Sequence, residues 1–385
     1  MGSHARCGFV PRLIAAACFS AATVVAVAQV AQVAPSAASA DDLLRNGIAA
    51  QQQGDLRSAI DDYRKALQLQ PGLAEARANL GAALAAVGDF DGAIQEDTRA
   101  LANAPDKNAV RMNLALAYYK KADWAHARDE FATVHAARPS DAAALMLLAY
   151  CSVKTGNARE ALALLAPLER GNEDNPDFAF VHAYALLESG NAAEALPKME
   201  KSAQTTNSID AWVIAGQARL HRREFHEARA DLEAAAKIAP DFPGLQTMLG
   251  QARDALGDSD AAMPAFEAAL KQNPRDPMAN LYLGTMRLKQ RDLEGARPLL
   301  ELALQLAPNM PQAQLQMAKL NSMTGKLPEA ATALEALEKA DPNWIDPHIE
   351  LAAIYYKLHR PDDGQRERDI VQKLEANTQK QGPLQ

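Results

Sequence analysis

Cysteine is almost missing from this chain: its 385 residues hold three, Cys7, Cys18 and Cys151. The first two fall in an N-terminal leader, so the processed chain keeps Cys151 alone and has no intrachain disulfide, even in an oxidising compartment. Cys151 is expected as a small packed residue, not a reactive thiol. Basic residues are also short, with 40 Lys and Arg against 48 Asp and Glu and a net charge of -8. Residues 1–40 contain Arg6 and Arg12 and no acid, so removing them takes the charge from -8 to -10. That balance speaks against a nucleic-acid partner, because phosphate contact draws on an excess of Lys and Arg. Arg219, His221, Arg222, Arg223, His226 and Arg229 form one local basic cluster, which reads as a solvated turn.

Catalytic signatures are missing as well. The chain has no Gly-rich phosphate loop, no His-Glu-x-x-His, no Gly-x-Ser-x-Gly and no paired-cysteine metal motif. His126 and His135, or His221 and His226, lack the spacing of three or four that puts two ligands on one helical face. His182 and His348 occupy packing phases of the repeat described below. No catalytic residue, cofactor or metal site is therefore expected.

The first forty residues have the form of a secretory signal peptide. Arg6 and Arg12 precede an apolar run from Leu13 to Ala28, and Ala38-Ser39-Ala40 supplies small residues ahead of Asp41. The expected exported form begins at Asp41, in the periplasm or outside the cell. Alternatives are an uncleaved membrane anchor, a lipoprotein cut before Cys18 and an organelle transit peptide. The apolar run is shorter than the ~20 residues of a spanning helix.

Beyond the leader, prolines recur every 34 residues at Pro71, Pro105 and Pro139, then at Pro240, Pro274, Pro308 and Pro342. A period of that length predicts stacked helical hairpins. Placing each proline at position 32 gives ten units starting at residues 40, 74, 108, 142, 176, 209, 243, 277, 311 and 345. Position 8 is always Gly or Ala, and position 20 is Ala in nine units and Gly364 in the last. Small residues at two fixed phases suit the closest approach of antiparallel helices. Large residues fill positions 7 and 24, and position 15 is usually a turn glycine. Two junctions depart from this pattern, near residues 171–176 and 205–208, and local opening is expected at unit 5. Pro197, Pro264 and Pro298 at position 22 are expected to shift their helix starts. The boundaries are a leader over 1–40, ten repeats over 41–376 and a flexible tail over 377–385.

These residues resemble the tetratricopeptide repeat, whose pattern W-x2-L-G-x2-Y, A-x3-F, P is met by Trp212, Gly216, Ala228 and Pro240 in unit 6. Unit 2 meets it with Leu80, Gly81, Ala93, Ala100 and Pro105. The resemblance implies an all-α, right-handed superhelical solenoid of about ten antiparallel helix pairs. It also implies that positions 2, 5, 9, 12 and 13 of the first helices line a concave groove for extended peptides or partner helices. Nine of the ten residues at position 5 are apolar. Over units 3 to 6 the expected partner groove is Met112, Leu116, Tyr119, Met146, Tyr150, Phe180, Tyr184 and Leu187, read as an exposed apolar lining. One branch of the family grips a C-terminal carboxylate with Lys at position 5 and Asn at position 9, and no unit here has either. The function expected is a non-catalytic scaffold of the periplasm or cell envelope binding a protein or peptide. It meets the membrane only through an uncleaved leader or an envelope complex. The alternative is an accessory subunit, or an enzyme with its active site inside the solenoid.

Overall fold

The computed structural model describes residues 38–172 and 174–381, with side chains as far as Asn377. The leader and its alternatives lie outside the described residues, apart from Ala38, Ser39 and Ala40. Twenty α-helices and one short 3-10 segment occur among the described residues, with no strand. They alternate as first and second members of hairpins. The first five pairs are α1 (Ala40–Gln52) and α2 (Leu56–Leu69), α3 (Ala74–Ala86) and α4 (Phe90–Ala100), α5 (Lys107–Lys120) and α6 (Trp124–Ala137), α7 (Ala142–Lys154) and α8 (Ala158–Leu165), and α9 (Pro176–Glu188) and α10 (Ala192–Thr206). The next five are α11 (Ile209–His221) and α12 (Phe225–Ile238), α13 (Leu245–Ala255) and α14 (Ser259–Gln272), α15 (Pro277–Lys289) and α16 (Leu293–Leu306), α17 (Pro311–Met323) and α18 (Leu327–Ala340), and α19 (Ile345–Lys357) and α20 (Pro361–Gln381).

The chain divides into two compact units, Met1–Ala215 and Gly216–Gln385. Within the first, each helix packs on the next, and first helices of neighbouring repeats also touch, as in α1 with α3 and α7 with α9. The second unit has the same arrangement, with α13 on α15, α15 on α17 and α17 on α19. The fold is an all-α helical-repeat solenoid.

The small residues are explained by what faces them. A Cβ on Gly47 would lie 2.6 Å from the Tyr63 ring, one on Gly250 2.5 Å from Phe266, and one on Gly284 2.9 Å from Leu300. Position 8 is therefore kept small so that the large residue at position 24 of the same repeat can lie over the first helix. Alanines at position 20 are sealed: Ala59, Ala93, Ala127, Ala161 and Ala195 have no exposed surface. The turn at position 15 is left-handed in all ten repeats. Glycine takes it in six, while Ala122, Arg223, Arg291 and His359 take it with φ from 58° to 63°. Five second helices then start on an aspartate cap: Asp55, for one, accepts from Ser58 N at 3.1 Å, and Asp292 from Gly295 N at 2.9 Å.

Two repeats break the packing rule. Repeat 10 has exposed Arg368 at position 24, and repeat 2, where the others have Tyr, Phe, Leu or Met, places Asp97 over Gly81. Asp97 has no exposed surface, and neither carboxylate oxygen has a hydrogen-bond partner. Burial, and secondarily Glu96, pushes its carboxyl up to about 8.

Two sequence expectations are corrected here. Pro197, Pro264 and Pro298 do not shift their helices, which begin five residues earlier at Ala192, Ser259 and Leu293. Each proline lies beyond the first turn, so each helix gives up one backbone hydrogen bond. Repeat 5 ends without proline on Asn207, which turns left-handed at φ 53°. At the other end of the chain, α20 runs to Gln381, so residues 377–381 continue a helix instead of opening a tail. Residues 382–385 lie outside the described residues.

Candidate functional site

The eight residues expected to line a groove all come from α5, α7 and α9, three first helices of the first unit. Repetition sets them side by side, and their rings form a continuous row. Tyr119 stands nearly perpendicular to Trp124, with centroids 5.3 Å apart, and lies 5.6 Å from Tyr150. Trp124 is 5.8 Å from Tyr150. Tyr150 in turn meets Tyr184 at 6.0 Å and Phe180 at 6.3 Å, and those two are 6.2 Å apart. Ring pairs at these separations add roughly 0.5–1.5 kcal/mol each beyond their buried area.

The row is mostly interior. Leu116, Tyr119, Met146, Tyr150 and Phe180 are buried, and only Met112, Tyr184 and Leu187 are half-exposed. The expectation of an exposed apolar lining is corrected accordingly. Each ring at position 9 or 12 reaches the ring at position 5 or 9 of the following repeat, so neighbouring first helices consume most of this surface among themselves. Position 5 shows the same effect along the chain. Leu44, Val213, Leu281 and Leu315 are buried there, and Ile349 in the last repeat is 46 % exposed.

Two further side chains join the row. Trp124 opens α6, and the Lys154 ammonium lies 5.5 Å from the Trp124 ring centroid and 5.7 Å from that of Tyr184. It spans two half-exposed rings and gives the accessible edge a positive charge held by cation–π attraction. Lys154 occupies position 13 of its repeat, a phase that the resemblance assigns to the groove; Trp124, at position 17, belongs to a second helix and had no such signal.

Burial first, then Tyr150, Cys151 and Asp210, hold the Tyr119 hydroxyl far above the usual phenol range, so it stays protonated. Burial likewise drives up the thiol of Cys151, next in sequence to Tyr150, and leaves it unreactive. In the second unit the basic cluster is partly neutralised: Arg219 meets Asp231 at 2.5 Å, and Arg222 meets Glu224 at 2.6 Å.

Family models described as "Tetratricopeptide repeat" match residues 118–183, 247–311 and 287–354, and one described as "TPR repeat" matches 51–88. Together they span more than half of the chain. No curated protein matches it. Among solved structures, yeast Tom70 is similar at 15% identity and a TM-score of 0.37, covering 89% of this chain and 96% of its own. The APC/C hetero-tetramer Cut9-Hcn1 is similar at 15% identity and a TM-score of 0.42, covering 88% of each chain. With ten hairpins in phase and family models matching more than half of its length, the chain belongs to the tetratricopeptide repeat family.

Proposed function

We propose that this chain is a non-catalytic protein-interaction scaffold that holds a peptide or helical segment of a partner along repeats 3 to 5, and that it works as an exported protein of the periplasm or cell envelope. Family membership supports the scaffold role. The observation that carries the binding face is the aromatic row and its accessible edge. Met112, Trp124, Lys154, Tyr184 and Leu187 stand half-exposed on a base of buried rings. A rigid base beneath partly open aromatic and aliphatic side chains lets a partner bury apolar surface without first ordering the site. Export rests on the basic, then apolar, then small-residue order of the first forty residues.

Tyr150 is an unsuitable probe of this face, since its ring is buried against four others. Tyr184→Ala with Leu187→Ala removes accessible apolar surface and leaves Ala183 and Ala195 in the hairpin contact untouched. The double variant is expected to fold with the wild-type helical signal and to weaken partner capture from envelope extracts by ~2 kcal/mol, about thirty-fold. Unchanged capture by the folded variant would move the site to another face.

A further inference from the structure

Position 4 of the first helix has a recurring task. In repeat 2, Arg77 donates to Glu96 at position 23, at 2.6 Å, and to the carbonyl of Pro71, at 2.8 Å. Repeat 3 keeps the first of these contacts, Arg111 to Glu130 at 2.7 Å. Repeats 7, 8 and 9 keep the second, through Gln246, Asn280 and Gln314 to the carbonyls of Pro240, Pro274 and Pro308. Repeat 10 reproduces both with a histidine. His348 Nε2 lies 3.1 Å from the Pro342 carbonyl, and Nδ1 lies 2.7 Å from Glu367 Oε2.

A second change accompanies this one. At position 28 of the preceding repeat, the arginines of repeats 2 and 3 have Leu67 and Leu101, whereas His348 has Glu338. Atoms of Glu338, His348 and Glu367, from α18, α19 and α20, all lie within 4.8 Å of one another. His348 and Glu367 are almost fully buried. An arginine with one glutamate is neutral, whereas a histidine with two glutamates keeps a net negative charge whether or not the ring is protonated. Glu335 and Arg366 also lie within electrostatic reach of Glu338. Glu335 accepts from the Tyr355 hydroxyl at 2.7 Å, and Arg366 pairs with Asp363.

We propose that Glu338, His348 and Glu367 form a binding site for one divalent first-row metal ion of the zinc class, closing the last hairpin. A dication balances the two carboxylates. Donation from Nε2–H to the Pro342 carbonyl leaves the Nδ1 lone pair facing them, which is the outer-shell arrangement that orients metal-bound imidazoles. One nitrogen and two oxygens suit zinc at roughly 2.0–2.2 Å, and Glu338 is the half-exposed member through which an ion and its remaining water ligand enter. Around such an ion, ligand atoms sit roughly 3–3.4 Å apart, so the cluster needs only small side-chain adjustments. Without metal the same atoms hold a proton between Nδ1 and Glu367. Binding zinc releases that proton.

The test is calorimetric titration of the full chain, carrying no histidine tag, with zinc chloride alone, together with thermal unfolding. One saturable site and a rise in Tm are expected. Glu338→Gln keeps the His348–Glu367 contact and lowers the affinity at least ten-fold. His348→Arg restores the pairing of repeat 2, folds, and loses the site, while the wild-type zinc complex shows one nitrogen and two carboxylate oxygens by X-ray absorption. Absence of saturable binding by the wild type overturns the proposal. Equal binding by the wild type and both variants also overturns it and assigns the zinc to surface histidines.

Discussion

Asp97 shows what one residue can cost a repeat. Its carboxyl is raised from 3.8 to about 8, so the native state binds more protons than the unfolded chain between those values. Stability from this group is therefore undiminished below about pH 4, falls as pH rises through the window, and levels off above about pH 8. The full span amounts to ~6 kcal/mol as an upper figure. Leucine fits the same place, since Leu232 lies over Gly216 and Leu300 over Gly284 as Asp97 lies over Gly81. Asp97→Leu is expected to raise Tm at pH 8 and to flatten the difference in stability between pH 4 and pH 8. Urea melts of both proteins at a series of pH values measure it, and an unchanged slope in the variant would assign the dependence elsewhere.

At the scale of elements, the junction after repeat 4 is the weakest segment by construction. Helix α8 has eight residues, against eleven to fifteen in the other second helices before the terminal one, and it passes through the 3-10 turn Ala166–Leu168 into an irregular connection that ends at Pro176. Asn172 and Asn175 tie that connection locally, Asn172 to the Leu168 carbonyl at 2.8 Å and Asn175 to Asn172 at 3.1 Å. Such bonds order a loop without burying apolar surface. Amide exchange is therefore expected to be fastest, within the repeats, over residues 166–175, with α7 and α9 protected on either side. Protection there equal to that of α7 would remove the irregular junction as the site of opening. At the opposite end, α1 depends on a reciprocal cap in which Ser39 Oγ accepts from Asp42 N and Asp42 reaches back to Ser39. Cleavage after Ala40 would remove Ser39, so the processed helix would start on Asp41 and Asp42, whose charges favour a helix N-terminus.

For the whole molecule, repeats act as near-independent terms in stability, each coupled to its neighbours. Each hairpin contributes its position 24 side chain over position 8, and each interface contributes contacts such as Arg77 with the Pro71 carbonyl. The proposed partner face adds a property of its own, because its accessible edge is mainly apolar and carries one aromatic-bound cation, Lys154. Partner capture is accordingly expected to change less than three-fold between 0.1 M and 0.5 M salt, since screening weakens exposed charge pairs and leaves apolar burial intact. A ten-fold fall over that range would point to the charged outer surface instead.

The sequence alone determined the hairpins, their number and their phase. Proline at position 32, small residues at 8 and 20 and turn residues at 15 are local requirements, and local requirements leave a period that can be counted. Even there, the left-handed turns at Ala122, Arg223, Arg291 and His359 were hidden, because nothing in those side chains announces a positive φ. Tertiary structure decided which apolar residues face solvent. Tyr150 and Tyr184 both occupy position 9, yet the first is buried and the second is half-exposed, since exposure depends on the ring that the next repeat supplies. His348 makes the same point for polar chemistry. Its phase marked it as a packing residue, and only the folding of α18, α19 and α20 onto one another brought two carboxylates to its ring.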